Sequence, residues 1–229
     1  MAGWRWYDAA TQLKHINRAG KTTLASKRIQ KEDGHQALKA KATKDKILLA
    51  VVTLINESGY SSASSTAIAK KAGITWGAVQ HHYGNKDEIL LAVMDMARDV
   101  YIQSLKHPSL TTGTLAERVD RFINIVWTHY KSDLYFAFSE IVMATRGKNS
   151  KIPLSAVRMN SQLERHLQTM TEIFAGYAVP PARLNEALRF VHRFLAGFAM
   201  DRVFEADMPF EAIHIQRLKD ELLAIIHPQ

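Results

Sequence analysis

At 229 residues, 47% of them hydrophobic and 23% charged, the chain is long enough for a small domain and a larger one, each with its own core. It has no cysteine, which excludes disulfides and thiolate metal sites and suits a reducing compartment. No run approaches the roughly 18 apolar residues of a membrane span, and no apolar leader ends in a small-residue cleavage site, so a cytoplasmic protein without a membrane partner is expected. The formal charge of +8 is concentrated at the front: residues 1–107 hold 16 Lys and Arg against 9 Asp and Glu, and residues 1–46 alone hold 11 against 4. A polyanion would meet the N-terminal half.

Residues 1–42 carry Trp4, Trp6, Tyr7 and many lysines, with Gly20 and Gly34 as breaks. Little helical periodicity is visible, so this stretch reads as a mobile basic arm. Gly20-Lys-Thr-Thr23 resembles the end of a phosphate-binding loop. That loop needs a glycine where His15 stands and a buried strand before it, and the sequence has neither.

From Thr43 to Ser58, Ile47, Leu48, Val51, Val52, Leu54 and Ile55 recur at helical spacing and predict a helix with a broad apolar face. Gly59-Tyr60 closes it. A short helix then follows from Ser64 or Ser65, where a hydroxyl can cap an orphan amide, and runs through Ile68, Ala69 and Ala72 to Gly73. Glycine reaches the left-handed conformation that such a helix end requires without steric cost. Thr75 is the next cap, and a second short helix runs from Trp76 to about His82. It is too short to stand alone, so it must rest on its neighbours and leave an outward face free for a DNA major groove. The pair reads as a helix-turn-helix.

Gly84-Asn85 turns the chain into a long helix from Lys86. The run Ile-Ala-x-x-Ala-Gly-Ile, then Gly-Ala-Val-x-x-His-Tyr-Gly-Asn-Lys-Asp-Glu-Ile-Leu, resembles the TetR family of bacterial repressors over about residues 44 to 95. That resemblance implies double-stranded operator DNA as a partner. The family's DNA-contacting positions fall here on Thr75, Trp76, Ala78, Gln80, His81, His82 and Lys86, with Ser64 and Thr66 of the preceding helix added as further candidates. By side-chain chemistry, Trp76, Ala78 and Gln80 suit base edges, whereas Thr75, His81, His82 and Lys86 suit phosphates. Gln80 departs from the aromatic residue many members carry there, and Ser65 from an apolar one.

The helix from Lys86 to about Lys106 stops before Pro108. Further helices are expected at about 114–130, 133–146, 153–176, 182–205 and 210–227, separated by Gly113, Ser132-Asp133, Gly147 to Pro153, Pro180-Pro181 and Pro209. No alternating strand pattern competes. The expected fold is all-α: a basic arm (1–42), a three-helix helix-turn-helix domain (43–90) and a larger helical effector-binding and dimerisation domain (91–229).

In the middle helices, bulky apolar groups are mixed with polar ones, as in a ligand cavity. The family resemblance also implies an effector pocket there. Trp127, Phe138, Met143, Gln162, His166 and Phe174 are its candidate lining, for a small, largely apolar effector. The last two helices carry more apolar surface than one domain needs to cover. Leu188, Val191, Leu195, Phe198, Leu218, Leu222 and Ile225 are therefore expected at a self-interface across a two-fold axis, as the family implies. A dimer would present two reading helices to an approximate palindrome.

No cofactor and no catalysis are expected. Glu211-Ala-Ile-His214 has the Glu-x-x-His spacing of helical di-iron sites, but such sites also need two further carboxylates facing the same interior. His-Glu-x-x-His, Gly-x-Ser-x-Gly and a glycine-rich dinucleotide loop are all missing. The competing reading is a dimeric DNA-binding regulator without a ligand, controlled by a protein partner.

Overall fold

The computed structural model describes residues 24–146, 156–205 and 207–227, with side chains from 35 onward except for 156–163. Every regular element among them is helical. In order these are α1 (Leu24–Ser58), a 3-10 turn (Tyr60–Ser62), α2 (Ser65–Ala72), α3 (Trp76–Tyr83), α4 (Lys86–Ser104), a second 3-10 turn (Pro108–Thr111), α5 (Leu115–Tyr130), α6 (Asp133–Thr145), α7 (Ala156–Ile173), α8 (Pro181–Asp201) and α9 (Glu211–Ile226).

The first helix corrects one expectation. It begins at Leu24 rather than at Thr43, so residues 24–42 are not the irregular arm that the missing periodicity suggested. They lack proline and are rich in Ala, Leu, Lys and Gln, strong intrinsic helix formers. Gly34 weakens such a helix by about 1 kcal/mol relative to alanine but does not end it. Amphipathic periodicity reports burial rather than helicity, and from His35 to Lys39 the side chains are all exposed. Residues 1–23, with the Gly20–Thr23 run, lie outside the described residues. The chain falls into two units, Met1–Thr43 and Lys44–Gln229.

Within the second unit there are two apolar cores. The smaller gathers Ile47, Val51 and Ile55 of α1, Ile68 and Ala69 of α2, Val79 of α3, and Ile89, Leu90, Val93 and Met94 of α4. Ala137 and Ile141 of α6 belong to it as well. The helix-turn-helix therefore does not end at residue 90 as a packing unit, since one helix of the body is built into its core. The larger core runs from Tyr101 and Leu105 through α5, α7, α8 and α9, with Phe122, Ile123, Leu188 and Leu222 at 1% exposure or less.

The helix ends follow their sequence signals. Thr114 and Glu117 form a reciprocal capping box at the start of α5, and Pro181 opens α8 at its first position, where the missing N–H costs nothing. Arg118 on α5 donates to the carbonyls of Ile173 and Ala175, satisfying acceptors that the end of α7 leaves open.

The expected self-interface is also corrected. Leu188, Val191, Leu195, Leu218, Leu222 and Ile225 are buried within their own chain, and Phe198 stacks on Trp127 with centroids 5.0 Å apart. These residues form the stripe by which α8 and α9 close the body. Periodicity found an apolar stripe but could not say whose core it completes.

Candidate nucleic-acid interface

Each of the two short helices is fixed at both ends by its own sequence. The Ser64 side chain accepts from Ala67 N–H, and Thr75 accepts from Ala78 N–H, each pairing an amide that the first turn leaves open. Gly73 takes φ 68°, ψ 32°, and its N–H reaches back to the carbonyls of Ala69 and Lys70. The Ile74 N–H bonds the Ala69 carbonyl at 3.1 Å, completing a left-handed helix stop.

This geometry sorts the candidate contacts. On α3, Val79 is fully buried, while Gly77, Gln80 and His81 are exposed, as is the cap residue Thr75. Ala78 and His82 are half-buried. The rings of His81 and His82 meet edge to face at 5.5 Å. Ser64 and Thr66 are exposed and lie within 3.3 Å of each other at the hydroxyls. Lys86 is half-buried, with its ammonium 5.0 Å from the centre of the Tyr60 ring. Trp76 differs from the rest: it is half-buried and packs on the small core, so most of its ring serves packing.

Tyr83 at the end of α3 is anchored on α1, where its hydroxyl reaches the Lys44 carbonyl at 3.5 Å and the Lys44 ammonium sits 5.7 Å from its ring centre. Burial first, and then the Asp45 carboxylate, push its phenol up to about 12. It is neutral at any working pH. The outer face of the helix pair therefore carries hydroxyl, amide, imidazole and ammonium groups, the repertoire that phosphates and base edges accept.

The effector candidates do not converge on one cavity. Trp127 and Phe174 are buried in the larger core, at 4% and 2% exposure. The Trp127 Nε1 donates to Glu211 at 2.7 Å, and Lys131 reaches the same oxygen at 2.9 Å. Phe138 packs on the small core, and Met143 is 42% exposed. The Gln162 side chain lies outside the described residues. Among the described residues of the six, His166 borders a cleft, together with Arg98, Asp99, Ile102 and Arg165.

Behind His166 is a group of rings that the sequence reading found only in part. The Tyr101 ring lies 5.0 Å from His129, 5.0 Å from His166 and 5.7 Å from His192. His166 stacks on His192 at 5.4 Å, and Tyr130 hydrogen-bonds His192 Nδ1. His192 was missed, although a signal was present: it stands four residues after Leu188 and three before Leu195, on the buried stripe of α8. Burial first, then neighbouring positive charge, lowers His129 and His166 to about 4 and His192 to about 3. All three rings are neutral near pH 7. The Tyr101 hydroxyl and His192 Nε2 are buried without a hydrogen-bond partner.

Comparison with known proteins agrees with this geometry. A family model described as bacterial regulatory proteins, tetR family, matches residues 47–93. The HTH-type transcriptional regulator HbdR of Aromatoleum sp. is 30% identical over 83 residues, 36% of this chain and 35% of that one. The HTH-type transcriptional regulator BetI of Stenotrophomonas maltophilia is 39% identical over 51 residues, 22% of this chain and 26% of that one. The chain thus matches about a third or less of the length of these two relatives. A tetR-family transcriptional regulator from Streptomyces coelicolor superposes with a TM-score of 0.62 at 18% identity, covering 81% of this chain and 80% of that one, which extends the likeness in fold to the helical body. Residues 47–93 thus match the DNA-binding part of the tetR family of bacterial regulatory proteins, and the all-helical body shares the fold of such a regulator.

Proposed function

We propose that the protein is a transcriptional repressor that binds a palindromic operator as a homodimer and is released by a small effector with a largely apolar body. The observation that carries this reading is the exposed face of α3, where Gln80 and His81 are turned away from the fully buried Val79 and the exposed Thr75 caps the helix. A helix held from behind in this way can enter a groove without losing its own core.

One such face makes few contacts, so useful discrimination calls for two. Support for a second copy comes from the outer side of the last two helices and the turn between them. There Phe204 is 83%, Phe210 68% and Ile213 51% exposed, and Phe194 of α8 is half-buried. Large apolar side chains left this exposed suit a partner surface. The interface assigned here is this outer face, not the inward stripe of Leu188 and Leu222.

Selecting genomic fragments that the full chain retains, with its mass measured by light scattering, tests the reading. A dimer enriched on one inverted repeat is the expected result. Ile213→Glu should shift the mass to a monomer and weaken operator binding at least about a hundredfold. A monomer that ignores duplexes at low salt would overturn the proposal.

A further inference from the structure

His166 stands between two environments. On one side it borders the cleft formed with Arg98, Asp99, Ile102 and Arg165. On the other it stacks on His192 and meets Tyr101 edge to face. The cleft is narrow, with a cavity volume of about 10 Å³. It admits about one water-sized group, such as a single carboxylate oxygen, with the remainder of a ligand at the mouth.

The chemistry of that group follows from what surrounds it. The polar groups packed behind the cleft are three imidazoles, His129, His166 and His192, and three phenols, Tyr101, Tyr130 and Tyr135. All can donate a hydrogen bond or gain a proton, and no carboxylate is among them. Near pH 7 the rings themselves are neutral, and the charge that acts on His166 is the positive one of Arg165. At the mouth, Asp95 pairs with Arg98, and Asp99 and Arg165 complete the rim. Two buried polar atoms, the Tyr101 hydroxyl and His192 Nε2, still lack a partner, a costly condition in a core. What this group of rings lacks is an anionic acceptor.

We propose that this cleft takes the carboxylate head of a small monocarboxylic acid, with His166 as first contact and Tyr101 and His192 completing its hydrogen bonds. The inference rests on the effector reading above and names the chemical class of that ligand. It carries a thermodynamic signature. An anion beside neutral imidazoles raises their proton affinity, so binding takes up about one proton, whether the proton settles on an imidazole or on the carboxylate itself. Affinity then rises as pH falls, by up to about tenfold per pH unit for one proton.

The test uses the full chain with straight-chain monocarboxylates of two to six carbons and their amides as neutral counterparts. Thermal shift and titration calorimetry in two buffers of different ionisation enthalpy should show that at least one acid binds, that its amide binds at least about tenfold more weakly, and that a proton is taken up. Arg165→Glu, an exposed change at the mouth, should weaken the acid about tenfold, and His166→Gln should remove most of the proton uptake, with circular dichroism confirming that both variants are folded. No binding by any acid, equal binding by acid and amide, or no proton exchange would each overturn the proposal, as would two folded variants that behave like wild type. Operator release is read separately by fluorescence anisotropy. If an acid binds with proton uptake and the operator stays bound, the site stands and release by effector fails. If other compounds release DNA and no acid binds, the site falls and the effector reading stands.

Discussion

The Tyr60 backbone N–H donates to Glu140 Oε2 across 3.2 Å, and this bond ties the turn behind α1 to α6. A second tie lies close by, where Asn56 Nδ2 donates to the Asp133 carbonyl at 2.9 Å. Between them, Ala137 and Ile141 of α6 sit in the small core at 0% exposure. The helix-turn-helix is thus carried by two helices, α4 through Ile89, Leu90, Val93 and Met94, and α6 through Ala137 and Ile141. Both reach the ring group as well, by Tyr101 of α4 and Tyr135 of α6. A rearrangement around those rings is transmitted to the reading helix along two packed paths rather than one.

Glu140→Ala should loosen this attachment. It leaves the half-buried Tyr60 amide without its acceptor, a loss of about 1–2 kcal/mol for a hydrogen bond to a charged group. Hydrogen exchange should quicken in α1 to α3 more than in α8 and α9. Uniform protection across both regions in the variant would show that α6 does not hold the small domain.

Gln80 and Lys86 should separate sequence reading from phosphate attraction. Gln80→Ala removes an exposed amide that can pair with one base, so preference should relax at particular positions at a cost of about 1–3 kcal/mol. Lys86→Ala should weaken all duplexes alike and reduce the salt slope by about 1. Swapped behaviour in a salt titration on matched and scrambled duplexes would reverse the two roles.

The parts of this molecule that the sequence made legible are those in which a single local interaction decides the outcome. Ser64, Gly73, Thr75 and Asn85 mark helix ends through one hydrogen bond or one backbone conformation, and the helices start and stop at them. The exposure of Gln80 and His81 followed from the burial of Val79, because residues one and two further along a helix are turned away from its face. Assignments that depend on partners far along the chain were not legible. Phe138 has the same spacing whether it lines a cavity or packs under the reading helices, and Leu188 and Leu222 have the same spacing whether they face a second copy or their own core. Residues 24–42 show the opposite limit: an exposed helix leaves no apolar period to find.

Trp127 and Glu211 join α5 to the start of α9. Trp127→Phe keeps the stacking on Phe198 and removes the indole donor to Glu211, leaving Lys131 as that carboxylate's remaining partner. Burial acts to raise the Glu211 carboxyl, but the hydrogen bonds from Lys131 and Trp127 outweigh it and hold the group below its ordinary range. A carboxylate depressed in the folded state adds stability above its unfolded pKa, and this is lost as pH falls through the folded value. The variant should lose about 1–2 kcal/mol at pH 7 in urea unfolding, with a smaller further loss on acidification below pH ~4.5 than wild type. An unchanged midpoint at pH 7 would show that Lys131 alone fixes Glu211.

The three buried imidazoles give the opposite end of the molecule its own pH dependence. His129 and His166 are lowered to about 4, and His192 to about 3, by burial first and by neighbouring positive charge second. In the unfolded chain each titrates near its ordinary value of about 6.5. Between these limits the unfolded state binds more protons, so stability rises with pH from about 4 to about 6.5 and is fully present above that window. Each histidine that stays neutral in the fold contributes a slope of up to about 1.4 kcal/mol per pH unit. His166→Gln should remove one such contribution, so urea unfolding followed from pH 4 to pH 7.5 should give a shallower curve for the variant while the wild type steepens below pH ~6.5. Parallel curves would mean that His166 titrates in the fold as it does in the open chain, and that its place beside Tyr101 and His192 is accessible to water.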